Sequence, residues 1–105
     1  MDYPEIIKSL PKIEIPLNGV YAHLLQGKNN QLVFFNFTED TEIPMHSHGA
    51  QWGIVVDGKI DLTIGGIETT YHKGDSYNIK AGEVHGGKIY AGFKAIDFFE
   101  YADRY

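Results

Sequence analysis

The chain has 105 residues, 43 % of them hydrophobic and 22 % charged, with no cysteine and a formal net charge of −5 when its five histidines are neutral. A chain this short supports a single domain with one core, and without disulfides that core must be held by packing, a metal or association. The acidic balance argues against a nucleic-acid partner, and the missing thiols exclude cysteine-based zinc sites and thiol chemistry.

Residues 4–10 (PEIIKSL) are expected to form one or two helical turns, with Pro4 at a first helical position and Pro11 as the stop. The stretch MDYPEIIKSLPK carries acids and prolines where a signal peptide needs a basic stretch and an apolar run. Nowhere does the chain approach the ~20 apolar residues of a membrane span. The expectation is a cytoplasmic protein with no membrane partner.

Strands follow. KIEI (12–15) alternates and stops at Pro16, reading as an exposed edge of the kind that pairs with a second copy, so a homodimer is expected. VYAHLLQ (20–26) alternates loosely into the turn GKNN. QLVFFNFT (31–38) is apolar on both faces, as a strand between two layers would be. TEIPMHSH (41–48) comes next, then QWGIVVD (51–57) and KIDLTI (59–64) around Gly58, and IETTYH (67–72) after Gly65-Gly66. The chain closes with SYNI (76–79), EVHGGKIYA (83–91) and FKAIDFFE (93–100). Many short strands with a glycine turn at most junctions, and no alternation of helix with strand, give an all-β barrel or sandwich over residues 1–105.

His46 and His48 stand two apart on a predicted strand, so both imidazoles leave one face about 7 Å apart at the backbone. From there two side chains reach one ion at ~2.1 Å. His-x-His alone also describes two surface histidines. Three features add to it: Gln51 three residues beyond His48, Gly58 closing the next strand, and His85 after Gly82 in a separate turn-and-strand unit that begins at Gly74-Asp75.

Taken together, His46-Ser47-His48-Gly49-Ala50-Gln51 with Gly58, and Gly74-Asp75 with Ala81-Gly82-Glu83-Val84-His85, resemble the two motifs of the cupin family. Gln51 stands where the family usually has an acid, and the gap after His48 is one residue shorter. Lys80, Ile89 and Asp40 replace a usual proline, asparagine and glycine. The resemblance implies a double-stranded β-helix (jelly-roll barrel) with one divalent transition metal in its wider mouth, held by His46, His48 and His85 with Gln51 as fourth ligand, and it implies dimers. Imidazole-rich ligation suits zinc, nickel, iron or copper, with manganese found in the family.

On the last strand, Asp97 and Phe99 share a face with Phe93 and Ala95, opposite Lys94, and that face is expected to be interior. A buried Asp beside a metal is a candidate acid–base; an Asp paired with a lysine or a backbone amide at the rim is the alternative. Asp97-Phe98-Phe99 also resembles small cupins that linearise uronate sugars in pectin and alginate breakdown, which implies Asp97 as proton carrier and Phe99 as a pocket wall. Trp52, Tyr77 and Tyr90 are candidate pocket-lining residues, with core packing as the alternative. His23 is read as a packed or supporting histidine and His72 as exposed. The functional expectation is a metal-dependent enzyme acting on a small carboxylated or sugar-acid molecule by isomerisation or ring-opening. The alternatives are a non-haem iron dioxygenase and a non-catalytic module that binds a small ligand.

Overall fold

Alternating side chains and glycine turns dictate most of the architecture. A computed structural model describes residues 1–105 and contains one helix and ten strands. The helix α1 is a single turn, Glu5–Lys8. The strands are β1 Lys12–Ile13, β2 Val20–Gln26, β3 Gln31–Phe37, β4 Thr41–His46, β5 Gln51–Asp57, β6 Lys59–Ile64, β7 Ile67–His72, β8 Ser76–Ile79, β9 His85–Ile89 and β10 Lys94–Phe99. They form a six-stranded sheet in the order β1-β2-β3-β10-β5-β8 and a four-stranded sheet in the order β4-β9-β6-β7, antiparallel throughout. Successive strands from β3 onward often lie in opposite sheets, which is the jelly-roll arrangement expected from the sequence.

Gly65 and Gly66, with φ of 56° and 83°, make the two-residue turn that brings Ile64 opposite Ile67 in the β6–β7 hairpin. The inner faces interdigitate around Val33, Phe35, Val55, Leu62, Ile79 and Phe93.

Two expectations are corrected. The chain from KIEI keeps only Lys12 and Ile13 as strand, although these do form an edge of the larger sheet. The double-sided apolarity of β3 does not come from a second sheet. Its outer face is covered by the chain's own N-terminus: Tyr3 packs edge-on against Phe34 with ring centroids 5.8 Å apart, and its hydroxyl reaches the carbonyls of Phe35 at 2.9 Å and Ala95 at 3.2 Å. The Met1 ammonium lies 2.6 Å from Asp57 Oδ2, and Pro11 O accepts from Leu24 N, so residues 1–11 run as a strap over one end of that face.

Candidate metal centre

Both sheets contribute to one end of the barrel. From the smaller sheet come His46 and His85, directly paired across β4 and β9. The ladder between these strands slips between Ile43 and His46, where Pro44 has no N–H to offer. The freed Pro44 carbonyl accepts instead from His46 Nδ1 at 2.9 Å. A side chain at Gly86 would run into the backbone of Ile43 and Pro44, so the bulged strand lies against β9 only because that position is bare.

His48 is placed differently from the expectation. It lies beyond the end of β4, so its imidazole is aimed by a loop rather than by strand parity. It still converges: the ring centroids of His46, His48 and His85 are 4.3 to 5.2 Å apart, and their candidate ligand nitrogens all lie within 4.8 Å of one another.

The Nδ1 atoms show what these rings are prepared to do. Each faces a backbone carbonyl: Pro44 O for His46, Gly49 O at 2.7 Å for His48, and Glu83 O at 2.9 Å for His85. A carbonyl only accepts, so each Nδ1 carries the proton and each Nε2 keeps its lone pair free. Burial, opposed by these carbonyl contacts, pushes the His48 and His85 pKa values below the ordinary histidine value, which favours neutral rings. Three converging imidazoles, each oriented through Nδ1 by a backbone carbonyl, fit a divalent transition metal.

The larger sheet supplies Gln51, Asp97 and Phe99, all facing inward. Gly53 sits between Tyr77 on β8 and Asp97 on β10 in one cross-strand row. A side chain at Gly53 would overlap both neighbours, and its absence lets the Tyr77 hydroxyl reach across β5 to donate to Asp97 Oδ1 at 2.5 Å. The space beside Gly53 is thus filled by protein, not left for a substrate. Asp97 is 5 % exposed. Burial raises its pKa to about 7, against the opposing effect of hydrogen bonds from Tyr77 and Gln51. Of Gln51, only the amide N–H can donate to that carboxylate, which leaves the amide oxygen as its free donor atom. Phe99 packs on His48 at 5.8 Å between centroids and forms part of the wall of a cavity of about 420 Å³ that also holds the histidines, Gln51, Tyr77 and Asp97.

Trp52 and Tyr90 are not brought to this cavity. Trp52 follows inward-facing Gln51 and so points outward, opposite Phe98. The Tyr90 hydroxyl donates to Asp61 Oδ2 at 2.5 Å, and its ring lies beneath the ammonium groups of Lys59 and Lys88, away from the cavity lining. His23 also lies on an outer face, with Nδ1 against Leu10 O.

One cavity residue had no sequence motif: Arg104. Its Nε is buried without a hydrogen-bond partner, and no carboxylate lies within ion-pair distance of its guanidinium, which sits 4.6 Å from the Tyr105 ring and 5.8 Å from the Phe99 ring. The tail is tied there by buried Gln31, whose amide donates to Tyr105 O at 3.0 Å and accepts from Tyr105 N at 2.9 Å. A half-buried guanidinium without an ion-pair partner, at the edge of a cavity, can receive an anion.

Residues 33–92, more than half of the chain, match the cupin domain family. No curated protein sequence is significantly similar to the chain. Among solved structures, an RmlC-like cupin from Shewanella frigidimarina superposes with a TM-score of 0.81 at 23 % identity, covering 92 % of this chain and 88 % of that one. KdgF from Halomonas sp. gives a TM-score of 0.74 at 18 % identity over 86 % of each chain. An oxalate decarboxylase variant from Bacillus subtilis gives 0.78 at 16 % identity, covering 94 % of this chain but 29 % of that one. Identities this low speak for the shared barrel alone. With the family match over most of the strands and the jelly-roll observed, the chain belongs to the cupin family.

Proposed function

We propose that this cupin is a metal-dependent enzyme that moves a proton on a small carboxylated substrate, in the manner of a sugar-acid isomerisation or ring-opening. The observation that carries this reading is Asp97: a buried carboxyl that accepts a hydrogen bond from Tyr77, in the same cavity as three converging histidines. Burial favours the protonated form of this carboxyl, so it is suited to hold a proton and pass it on within the cavity.

His46, His48 and His85 are the proposed metal ligands, with the Gln51 amide oxygen as the fourth. None of these is anionic, so a divalent ion keeps its full +2 charge in a low-dielectric cavity. When bound, such an ion supplies Lewis acidity toward a carbonyl or carboxylate oxygen. The residues do the rest. Arg104 receives the substrate carboxylate with its unpaired guanidinium. Phe99 presents an apolar wall. Asp97 removes a proton from substrate carbon or hydroxyl and delivers it to the neighbouring atom, while the Tyr77 hydroxyl holds the carboxyl in place. The cavity of about 420 Å³ that these groups line suits a molecule the size of a hexuronate. The likeness of the Asp97-Phe98-Phe99 stretch to uronate-linearising cupins supports the same substrate class.

The test is elemental analysis of untagged protein together with turnover of a panel of sugar acids followed by NMR, for the parent chain and Asp97→Asn. Near one equivalent of metal in both proteins, with turnover lost by about 100-fold or more in the variant, is the expected result. Wild-type turnover in Asp97→Asn overturns the assignment. Oxygen consumption by the iron-loaded protein points to a dioxygenase instead, and ligand binding without turnover points to a binding module.

A further inference from the structure

Of the three histidines, His46 and His85 sit on strands, and each Nδ1 faces a carbonyl two residues earlier in its own segment. His48 sits in a loop, and its Nδ1 faces the carbonyl of the next residue, Gly49. A loop carbonyl needs something else to aim it, and the other side of the same peptide supplies that. Gly49 O and Ala50 N belong to one trans peptide, so the C=O and the N–H point in opposite directions. The Ala50 N–H donates to Glu100 Oε2 at 2.8 Å, while the Gly49 carbonyl accepts from His48 Nδ1 at 2.7 Å. Glu100 is itself fixed in place. It follows Phe99, the last ladder residue of β10, and its own N–H donates to Ala50 O at 2.9 Å. Its side-chain carboxylate thus stands where the backbone carbonyl of an antiparallel pair would accept. Gly49 leaves room for this approach, because a side chain there would overlap the Tyr101 ring and crowd Glu100 Oε2.

We propose that Glu100 is a positioning residue for the metal centre, acting on His48 through the Gly49–Ala50 peptide. The contacts run from the Glu100 carboxylate to the Ala50 N–H, and from the Gly49 carbonyl to His48 Nδ1. His48 Nε2 is left for the cluster with His46 and His85. A carboxylate on the N–H polarises the peptide and makes its carbonyl a stronger acceptor. A stronger acceptor holds the Nδ1 proton, fixes the tautomer and the direction of the ring, and raises the basicity of Nε2. Metal-binding histidines are often held by a carboxylate directly; here a peptide stands between the two. The arrangement keeps the Glu100 charge at the exposed rim while its effect reaches the half-buried ring. A carboxylate that only fastened the end of the sheet would affect stability and leave the His48 tautomer alone. The consequence for the metal rests on the proposed ligation, but the tautomer is a property of the metal-free chain and is measured without it.

The experiment is nitrogen NMR of the histidine rings in the full, metal-free chain at about pH 8, where imidazoles are neutral. A cobalt(II) titration against a competing chelator follows. The His48 signals are identified by their loss in His48→Gln. In the parent chain His48 is expected to carry its proton on Nδ1. Glu100→Ala is expected to give a mixture of both His48 tautomers and to bind cobalt(II) about tenfold more weakly. Glu100→Gln, whose amide oxygen still accepts from the Ala50 N–H, is expected to keep the parent tautomer and to bind within about threefold of the parent. His85, held by Glu83 O, is expected to keep its tautomer in every variant. A parent His48 protonated on Nε2 overturns the inference. So does a Glu100→Ala variant with the parent tautomer or the parent cobalt affinity, or a Glu100→Gln variant that behaves like Glu100→Ala. A change at His85 as large as that at His48 overturns it too, since that is general loosening of the site. The expected tautomers in a parent chain that takes up no cobalt(II) overturn the proposed ligation instead, and leave Glu100 as the residue that sets His48.

Discussion

At the residue scale the centre depends on where protons sit. Three backbone carbonyls hold the Nδ1 protons of His46, His48 and His85 and so leave Nε2 free to bind a metal. Replacing His85 with Ala removes one of three converging nitrogens, and metal content by elemental analysis is expected to drop from near one equivalent to near zero at micromolar protein. Gln51→Ala removes only the weak amide donor, so most of the metal is expected to remain. Arg104 gives a different prediction, because its proposed role is to hold substrate: Arg104→Ala is expected to raise KM about tenfold or more while kcat changes less, since a charge-assisted pair made equally in ground and transition state affects binding first. The sequence announced the histidines through their spacing and Asp97 through its parity with Ala95. It did not announce Arg104, which reaches the cavity only because Gln31, far away in sequence, ties down the tail at Tyr105. Trp52 was legible in principle, for if Gln51 points inward its neighbour must point outward.

At the element scale the strands were readable nearly to the residue: β2, β5, β6, β7 and β8 run between the boundaries that their alternation and turn glycines mark. What could not be read is departure from ladder geometry. Pro44 shows that the β4 ladder must break, yet nothing in the local sequence says that its carbonyl will then anchor His46, or that His48 will leave the strand. Nor does a lone Gly53 reveal that it is the gap through which Tyr77 reaches Asp97, because that requires knowing that β8 and β10 flank β5. A test of this gap is Gly53→Ala. The added methyl overlaps the Asp97 carboxylate and the Tyr77 ring, so one of them must move. Overpacking of this kind costs about 1–3 kcal/mol, and a urea titration is expected to show a lower midpoint with an unchanged slope. Turnover is expected to fall as well, since the Tyr77–Asp97 hydrogen bond is what the methyl displaces.

At the scale of the whole molecule, the strap closes one half of an open sheet face, and Tyr3 is its anchor. One phenolic proton is shared between the carbonyls of Phe35 and Ala95 in a buried position. Tyr3→Phe keeps the ring on Phe34 but leaves those carbonyls without their donor, and is expected to lower the stability of the metal-free protein by about 1–2 kcal/mol at pH 7. The same tyrosine sets an alkaline limit. Burial first, and the nearby Asp97 charge second, raise its pKa well above the ordinary tyrosine value. In the unfolded chain the phenol ionises near pH 10, whereas in the fold it stays protonated. The unfolded state therefore loses a proton that the folded state retains, and the stability due to this group is fully present below about pH 10 and declines as pH rises beyond it. Phe at position 3 has nothing to ionise. The stability difference between the parent chain and Tyr3→Phe, measured by urea unfolding from pH 7 to 11, is thus expected to be constant up to about pH 10 and then to narrow. A difference that stays flat to pH 11 would mean that the Tyr3 hydroxyl ionises as readily in the fold as in the unfolded chain, and that the strap does not seal this half of the sheet from water.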